Sequence, residues 1–288
     1  MISILRCNLN KLAHRSDLML TFVGLGLYDE EDITLKGVRA IKDADMVFAE
    51  FYTSKMMGTT IERMESRYQT KITTLSRGEI ETDPAWLHHA IDRNVVLLSG
   101  GDPMVSTTHI DLRLRASDLG IATVIVHGTS IASAAAGLAG LQNYRFGKSA
   151  TIPFPYTVRS KTIVSETPYN AVLLNRDNDL HTMLFLDIDH EKGFMTISEA
   201  AGLLMQVDER GLLDRALGIG IARAGSPDVV VKCDYLRNLA GSGFGAPMHL
   251  LIVPAGLHQM EAEALVRFAG APEGIIERYV YKRMQKLL

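Results

Sequence analysis

Four short loops hold most of the residues that could grip a ligand: "GLGL" (24–27), "GGDP" (100–103), "GTSI" (128–131) and "ARAGS" (222–226). Each follows an apolar run, and each is rich in glycine, alanine or serine, which let backbone come close to something else. In the first, Gly24 and Gly26 open like the dinucleotide fingerprint G-x-G-x-x-G, but Asp29 stands where the third glycine belongs. Helix-start signals come only at Asp32 and Thr34, so the helix amides do not begin at the glycines where a pyrophosphate would need them. The acids Asp29, Glu30, Glu31 and Asp32 would repel phosphate and suit a ligand carrying positive charge. A ligand-free strand-to-helix turn accounts for the same residues, and this stretch alone does not separate the two. Asp102 before Pro103 is equally two-sided: an acid facing a ligand, or an N-cap with proline at the first helical position. Ser130 reads as a ligand contact or as the cap of the next helix, whose Ala132, Ser133 and Ala134 allow close approach to a sheet.

The elements that must carry these loops alternate. Between residues 19 and 143, strand-like runs ("MLTFVG", "MVFAEFY", "KITTL", "NVVLLSG", "IATVIVHG") alternate with helical ones ("TLKGVRAIKDA", "TTIERMESRY", "DPAWLHHAID", "STTHIDLRLRASDLG", "SIASAAAGLAGL"). Short connections between them imply a parallel sheet covered by helices on both faces. The candidate loops all follow strands, at the carboxyl edge where open α/β sheets bind ligands. The pattern changes after Gly147. "SATIPFPYTVRS" reads as a crossing linker or edge strand. Helical "NAVLLNRDNDL", strand "TMLFLDI", helical "TISEAAGLLMQVDERG", strands "LGIGIARAG" and "HLLIVPAG" and helical "QMEAEALVRFAG" then make a second α/β domain, with "VKCDYLRNL" between the two strands. The expected organisation is an N-terminal extension over 1–18, an α/β domain over 19–147 and a second over 148–288.

Composition narrows the class. The 288 residues are 47% hydrophobic and 22% charged, with a formal charge of −3, so nucleic acid is not the default partner. A chain of this length can bury roughly 75% of its unfolded surface, without disulfides or a structural metal. Cys7 and Cys233 lie far apart outside any CxxC spacing and read as free thiols in a reducing compartment. No apolar run nears the roughly 18 residues of a membrane span. His88 and His89 are adjacent on a polar helix, where neighbours do not share a face, and read as surface rather than metal ligands.

Together the four loops, with "FAEFYTS", "LRLRA", "YRFGKSATIPFP", "HTMLFLDI" and "HLLIVPAGLH", resemble the tetrapyrrole methylase superfamily, the class III S-adenosylmethionine-dependent methyltransferases. Within it the chain is most similar to the diphthine synthase family. "FAEFYTS" and "GKSAT" are more specific than the glycine loops, which corrin-pathway relatives share. The likeness spans about residues 19–275.

The resemblance implies a two-domain fold, with a mostly parallel sheet in the N-terminal domain, a mixed sheet in the C-terminal one, and the cofactor in the cleft between them. It implies S-adenosylmethionine as methyl donor, no metal, and as partner translation elongation factor 2, whose modified histidine bears the amine to be methylated. A homodimer in the cytoplasm, without membrane or direct nucleic-acid contact, follows from the same likeness. Its cofactor contacts fall on Leu27, Asp102, Val105, Ser130, Ile131, Leu186, Ala224 and His249.

The residue types suit that donor, which has a sulfonium and no phosphate. Taken singly, Leu27, Val105 and Ile131 are also ordinary core residues, and His249 an ordinary structural histidine. Glu50 and Tyr52 read as facing the acceptor or as strand packing. Methyl transfer is an in-line displacement whose leaving group needs no acid. Alignment can supply about 7–11 kcal/mol, and an α-amine with a reference pKa of about 7.7–8.0 keeps some neutral form, so no catalytic acid or base is assigned. The competing expectations are a corrin or precorrin methyltransferase, a nucleotide-dependent oxidoreductase and a non-catalytic binding protein.

Overall fold

The structure, a computed structural model, describes residues 18–274 other than 53 and 190, together with 276, 277, 279 and 280. The expected extension, apart from Leu18, and Cys7 lie outside the described residues. The chain divides after Ser130 into two compact units.

The first unit is a parallel sheet of β1 (Met19–Gly24), β2 (Met46–Glu50), β3 (Ile72–Leu75), β4 (Val95–Ser99) and β5 (Ala122–Val126), in the order β3-β2-β4-β1-β5. Between the strands run α1 (Leu35–Lys42), α2 (Ile61–Tyr68), α3 (Arg77–Glu81) and α4 (His109–Asp118). The helices start where the sequence supplies caps. Thr34 Oγ1 accepts from the Gly37 amide at 3.1 Å, and Ser76 with Glu79 forms a capping box. "AWLHHAI" winds as a 3-10 segment instead of an α-helix, with both histidines exposed.

Both sheet faces are covered, which is why β4 is buried along its whole length. Alternate residues go to opposite faces. Val23, Val96 and Leu98 pack with Ile41 of α1, whereas Leu20, Phe22 and Leu97 pack with Leu112 and Ala116 of α4. The chain therefore leaves the adjacent strands β1 and β4 toward opposite faces, and their carboxyl ends flank the kind of switch point at which α/β sheets bind ligands.

The second unit opens with α5 (Ile131–Ala139). The alternation along the chain groups this alanine-rich helix with the first sheet. Its buried Ala135 and Ala139 instead pack with Ile219, Ile221 and Leu250 of the second. The "SATIPFPYTVRS" stretch becomes edge strand β6 (Ala150–Ile152) and a hairpin of β7 (Tyr156–Val158) and β8 (Lys161–Ile163). Then follow α6 (Thr167–Asp177), β9 (Thr182–Leu186), the small pair β10 (Ile188–Asp189) and β11 (Gly193–Phe194), α7 (Ile197–Gln206), β12 (Leu217–Ala222), β13 (Val230–Tyr235), α8 (Leu236–Leu239), β14 (His249–Val253) and α9 (Gln259–Ala269). The sheet is mixed, as expected: β13, β12, β14 and β9 run antiparallel to their neighbours, and β6 lies parallel to β9 at the edge.

One buried carboxylate ties this unit together. Glu261 of α9 is fully buried, and each oxygen has two donors. Oε1 accepts from the Gln142 amide at 3.0 Å and His181 Nε2 at 3.1 Å; Oε2 accepts from Arg145 at 2.6 Å and the His258 amide at 2.8 Å. His181 Nδ1 in turn accepts from the Ala255 amide at 3.1 Å, which leaves the proton on Nε2. Burial alone would raise the Glu261 carboxyl; the donors from His181, Gln142 and His258 outweigh it and bring the group down to about 2.

A carboxyl depressed in the folded state stabilises fully above its ordinary value of 4.5, and that contribution drains away as pH falls toward about 2. Glu261→Gln should lose about 1.5–3 kcal/mol at neutral pH, because Arg145 and His181 lose their shared carboxylate while Arg145 keeps Asp179 at 3.1 Å. Its urea midpoint should also fall less steeply than the wild type's below pH 4.5. Equal midpoints at pH 7 would show that the ionised carboxylate does not hold this unit together.

Candidate functional site

In the first unit the site begins where β1, β4 and β5 end side by side. Their last turns touch backbone to backbone. A Cβ on Gly24 would lie 2.5 Å from the Gly101 oxygen and 2.5 Å from the Gly128 nitrogen, and one on Gly128 would collide with the Gly101 oxygen. The Gly101 amide donates to the Gly26 oxygen at 2.6 Å, and the Gly26 amide to the Gly101 oxygen at 3.2 Å. Gly26 and Gly101 have φ of +90° and +68°, which strongly favours glycine.

The acid-rich loop is folded in on itself. Asp32 Oδ2 accepts from the Leu27 amide at 3.1 Å and the Tyr28 amide at 2.7 Å. Asp29 accepts from the Glu31 amide at 2.9 Å, and Glu30 pairs with Arg63 at 2.7 Å. The amides that follow the glycine pair, where a nucleotide phosphate would settle, are thus already filled by the protein's own carboxylate.

Asp102 does not start a helix. Its Oδ1 accepts from the Met104 amide at 2.8 Å in a side-chain turn, Ser106 adopts a left-handed φ of +57°, and α4 begins only at His109. The other oxygen, Oδ2, lies 2.7 Å from Nδ1 of His127, the residue just beyond β5. Asp102 is buried at 6% exposure, while the His127 side chain is 71% exposed. Val105 projects from the same loop, 38% exposed.

Beneath the loop lies a buried polar set. His109 Nδ1 donates to the Pro103 oxygen at 2.9 Å, and the Thr107 hydroxyl donates to that oxygen at 2.6 Å. His109 Nε2 is 3.6 Å from Glu50 Oε1, which accepts from the Ser99 hydroxyl at 2.5 Å. Glu50 is therefore an interior group that supports the loop rather than a surface acid. Burial, with the negative charges of Glu50 and Glu81, pushes the Tyr52 phenol up to about 12.

Ser130 closes the first unit, buried at 9% exposure, and Ile131 opens α5 half-buried against the second core. In the second unit the remaining candidates share one end of the sheet. Leu186 ends β9, His249 begins β14, and Ala224 follows the end of β12, whose Ala222 pairs with His249. Leu186 is buried in the core with Leu184 and Leu251. Ala224 sits between Arg223 (φ +54°) and Gly225 (φ +88°), in a turn braced by the Arg223 guanidinium on the carbonyls of Phe244 (2.6 Å), Ala246 (3.0 Å) and Asp228 (3.0 Å). His249 uses both ring nitrogens internally: Nε2 donates to the Ala246 oxygen at 3.1 Å and Nδ1 accepts from the Ile197 amide at 3.3 Å. Burial holds its pKa below the ordinary histidine value. A ligand can meet it only through the ring's carbon edge or the backbone.

Among the described residues no three His, Cys, Asp or Glu side chains converge as metal ligands. Sequence reasoning passed over His127 and the inward turn of Asp32. The signal for the first was a histidine at the carboxyl end of a strand, two strands' width from an aspartate in another such loop.

Comparison with known proteins gives a consistent picture. The family model for tetrapyrrole (corrin/porphyrin) methylases matches residues 19–235. A diphthine synthase of Methanosarcina acetivorans is 57% identical over 263 residues, covering 90% of this chain and 99% of that protein. One from Halorubrum lacusprofundi is 47% identical, covering 90% and 100%. A crystal structure of diphthine synthase superposes with a TM-score of 0.84 at 45% identity, covering 91% of this chain and 100% of that one.

The glycine contact invites a direct test. Gly128→Ala should cost about 1–3 kcal/mol, because the added methyl meets backbone that cannot rotate away. Gly202→Ala in α7, where a Cβ meets nothing within 4 Å, should instead stabilise by about 0.5–1 kcal/mol. Chemical denaturation of both variants checks this, and a Gly128→Ala midpoint equal to wild type would show that the strand ends are not close-packed.

Proposed function

Because this chain belongs to the tetrapyrrole methylase family and, within it, to the diphthine synthases, we propose that it transfers methyl groups from S-adenosylmethionine to the amine of the aminocarboxypropyl-modified histidine of translation elongation factor 2. The observation that carries this reading is the closed first loop. With the Leu27 and Tyr28 amides occupied by Asp32, the strand ends suit an adenosine ligand without phosphate and leave no pyrophosphate seat for NAD.

The donor supplies an activated methyl on a sulfonium. The chain's own residues bind and orient it. Leu27, Asp102, Val105 and Ser130 of the first unit, and Ile131, Leu186, Ala224 and His249 of the second, are the proposed contacts. The partly exposed Val105 and half-buried Leu27 offer apolar surface for a base or a thioether chain, and the glycine contacts hold the loops that carry them. Alignment of nitrogen, methyl and sulfur within such preset backbone is worth up to about 7–11 kcal/mol. Three transfers to one amine leave a quaternary nitrogen without a lone pair, where N-methylation must stop. Homodimeric assembly in the cytoplasm extends the same premise; among the described residues no helix is long and apolar enough to cross a membrane.

Two measurements test this. Calorimetry should detect S-adenosylmethionine and its demethylated product but not NAD. Label from the donor's methyl should then appear on elongation factor 2 bearing the aminocarboxypropyl histidine and not on the unmodified factor. NAD binding as tight as that of the methyl donor would overturn the proposal.

A further inference from the structure

We propose that His127 is the proton acceptor of the methylation: held by Asp102 through Nδ1, it presents Nε2 to take the proton from the acceptor ammonium before each transfer. This rests on the reading above and adds a catalytic residue to it.

The hydrogen bonding fixes the tautomer. Asp102 Oδ1 is used by the Met104 amide, and Oδ2 faces His127 Nδ1 at 2.7 Å. A carboxylate can only accept, so Nδ1 carries the proton and Nε2 keeps its lone pair. The buried carboxylate orients the ring, as in other aspartate–histidine pairs. The ring is 71% exposed at the carboxyl end of β5, beside two of the ligand loops.

Asp102 is the acidic partner of the His127 ring. The end of β1, next to β5, offers Gly24, Leu25 and Gly26. Asp32 from that loop is turned onto the Leu27 and Tyr28 amides, and Glu50 and His109 below the β4 loop are fully buried.

The chemistry gains from such a group, because only the minor neutral fraction of the amine can attack. An α-ammonium with a reference pKa of about 7.7–8.0 is mostly protonated at neutral pH and has no lone pair to attack with. Its proton passes to Nε2, giving a neutral amine and an imidazolium paired with Asp102. The nitrogen lone pair then forms the N–C bond, and the electrons of the breaking C–S bond return to sulfur, leaving a neutral thioether. The imidazolium gives its proton to solvent, and the methylated ammonium begins the next round in the same way.

The test is the pH dependence of methyl transfer to the modified elongation factor by wild type, His127→Gln and His127→Ala. Glutamine can still donate a hydrogen bond to Asp102 but cannot take a proton. Both variants should bind S-adenosylmethionine as wild type does, and transfer about 10²–10⁴-fold more slowly at pH 7. The deficit should shrink as pH rises past about 8, where the ammonium loses its proton unaided, and added imidazole should partly restore the alanine variant. A deficit of the same size at every pH, a wild-type rate, or lost donor binding would overturn the assignment. A wild-type protein that binds the donor yet methylates nothing at any pH would overturn the acceptor reading, and the base assignment with it.

Discussion

The site depends on three strand ends that touch without side chains. β1, β4 and β5 are neighbours in one parallel sheet, so Gly24, Gly101 and Gly128 arrive at the same level and pack within van der Waals distance of each other's backbone. A single Cβ at Gly24 or Gly128 would force them apart. The Gly26–Gly101 bridge then extends the contact one step beyond the strands and sets the starting direction of both loops. A loop launched from a sheet end is otherwise among the more mobile parts of a protein. Here backbone hydrogen bonds and close contact remove that freedom before any ligand binds, as a reaction that relies on alignment requires.

Above that contact, carboxylates do the structural work usually left to bound ligands or water. Asp32 fills the amides after the first glycine pair, Asp102 closes its own turn and holds His127, and Glu50 sits under the second loop bonded to Ser99. The second unit repeats the device with Glu261, whose oxygens take four donors. Buried acids of this kind are tolerable only because their lone pairs are matched by N–H and O–H groups. The acid-rich first loop thus excludes phosphate by filling the seat as well as by charge, a stronger reason than net repulsion, which salt would screen.

Much of the architecture was legible in the chain because it follows from local chemistry. Alternating apolar runs and caps such as Thr34 and Ser76 are read within a few residues, and they placed all five strands of the first sheet and the loops after them. The missing third glycine, with Asp29 in its place, was likewise a local fact that ruled against a dinucleotide site. The "SATIPFPYTVRS" stretch was recognised as a possible edge strand because proline at Pro153 and Pro155 bars a central one.

What the chain could not disclose depends on partners distant in sequence. Whether Asp102 capped a helix or turned aside was undecidable locally, since Asp-Pro suits either; in the fold its Oδ1 takes the Met104 amide in a turn and its Oδ2 meets His127, 25 residues on. The side of α5 was decided by which sheet offered its alanines a matching surface, and small residues fit either. His249 reads from the chain as a ligand contact or a structural histidine; that the Ile197 amide and the Ala246 carbonyl take both its nitrogens is visible only in the fold. The sequence by itself determined the elements and their order, because propensity and periodicity act over a turn or a strand. The tertiary structure alone decided which polar atoms remain open to a ligand, because a hydrogen bond depends on distance in space and is blind to separation along the chain.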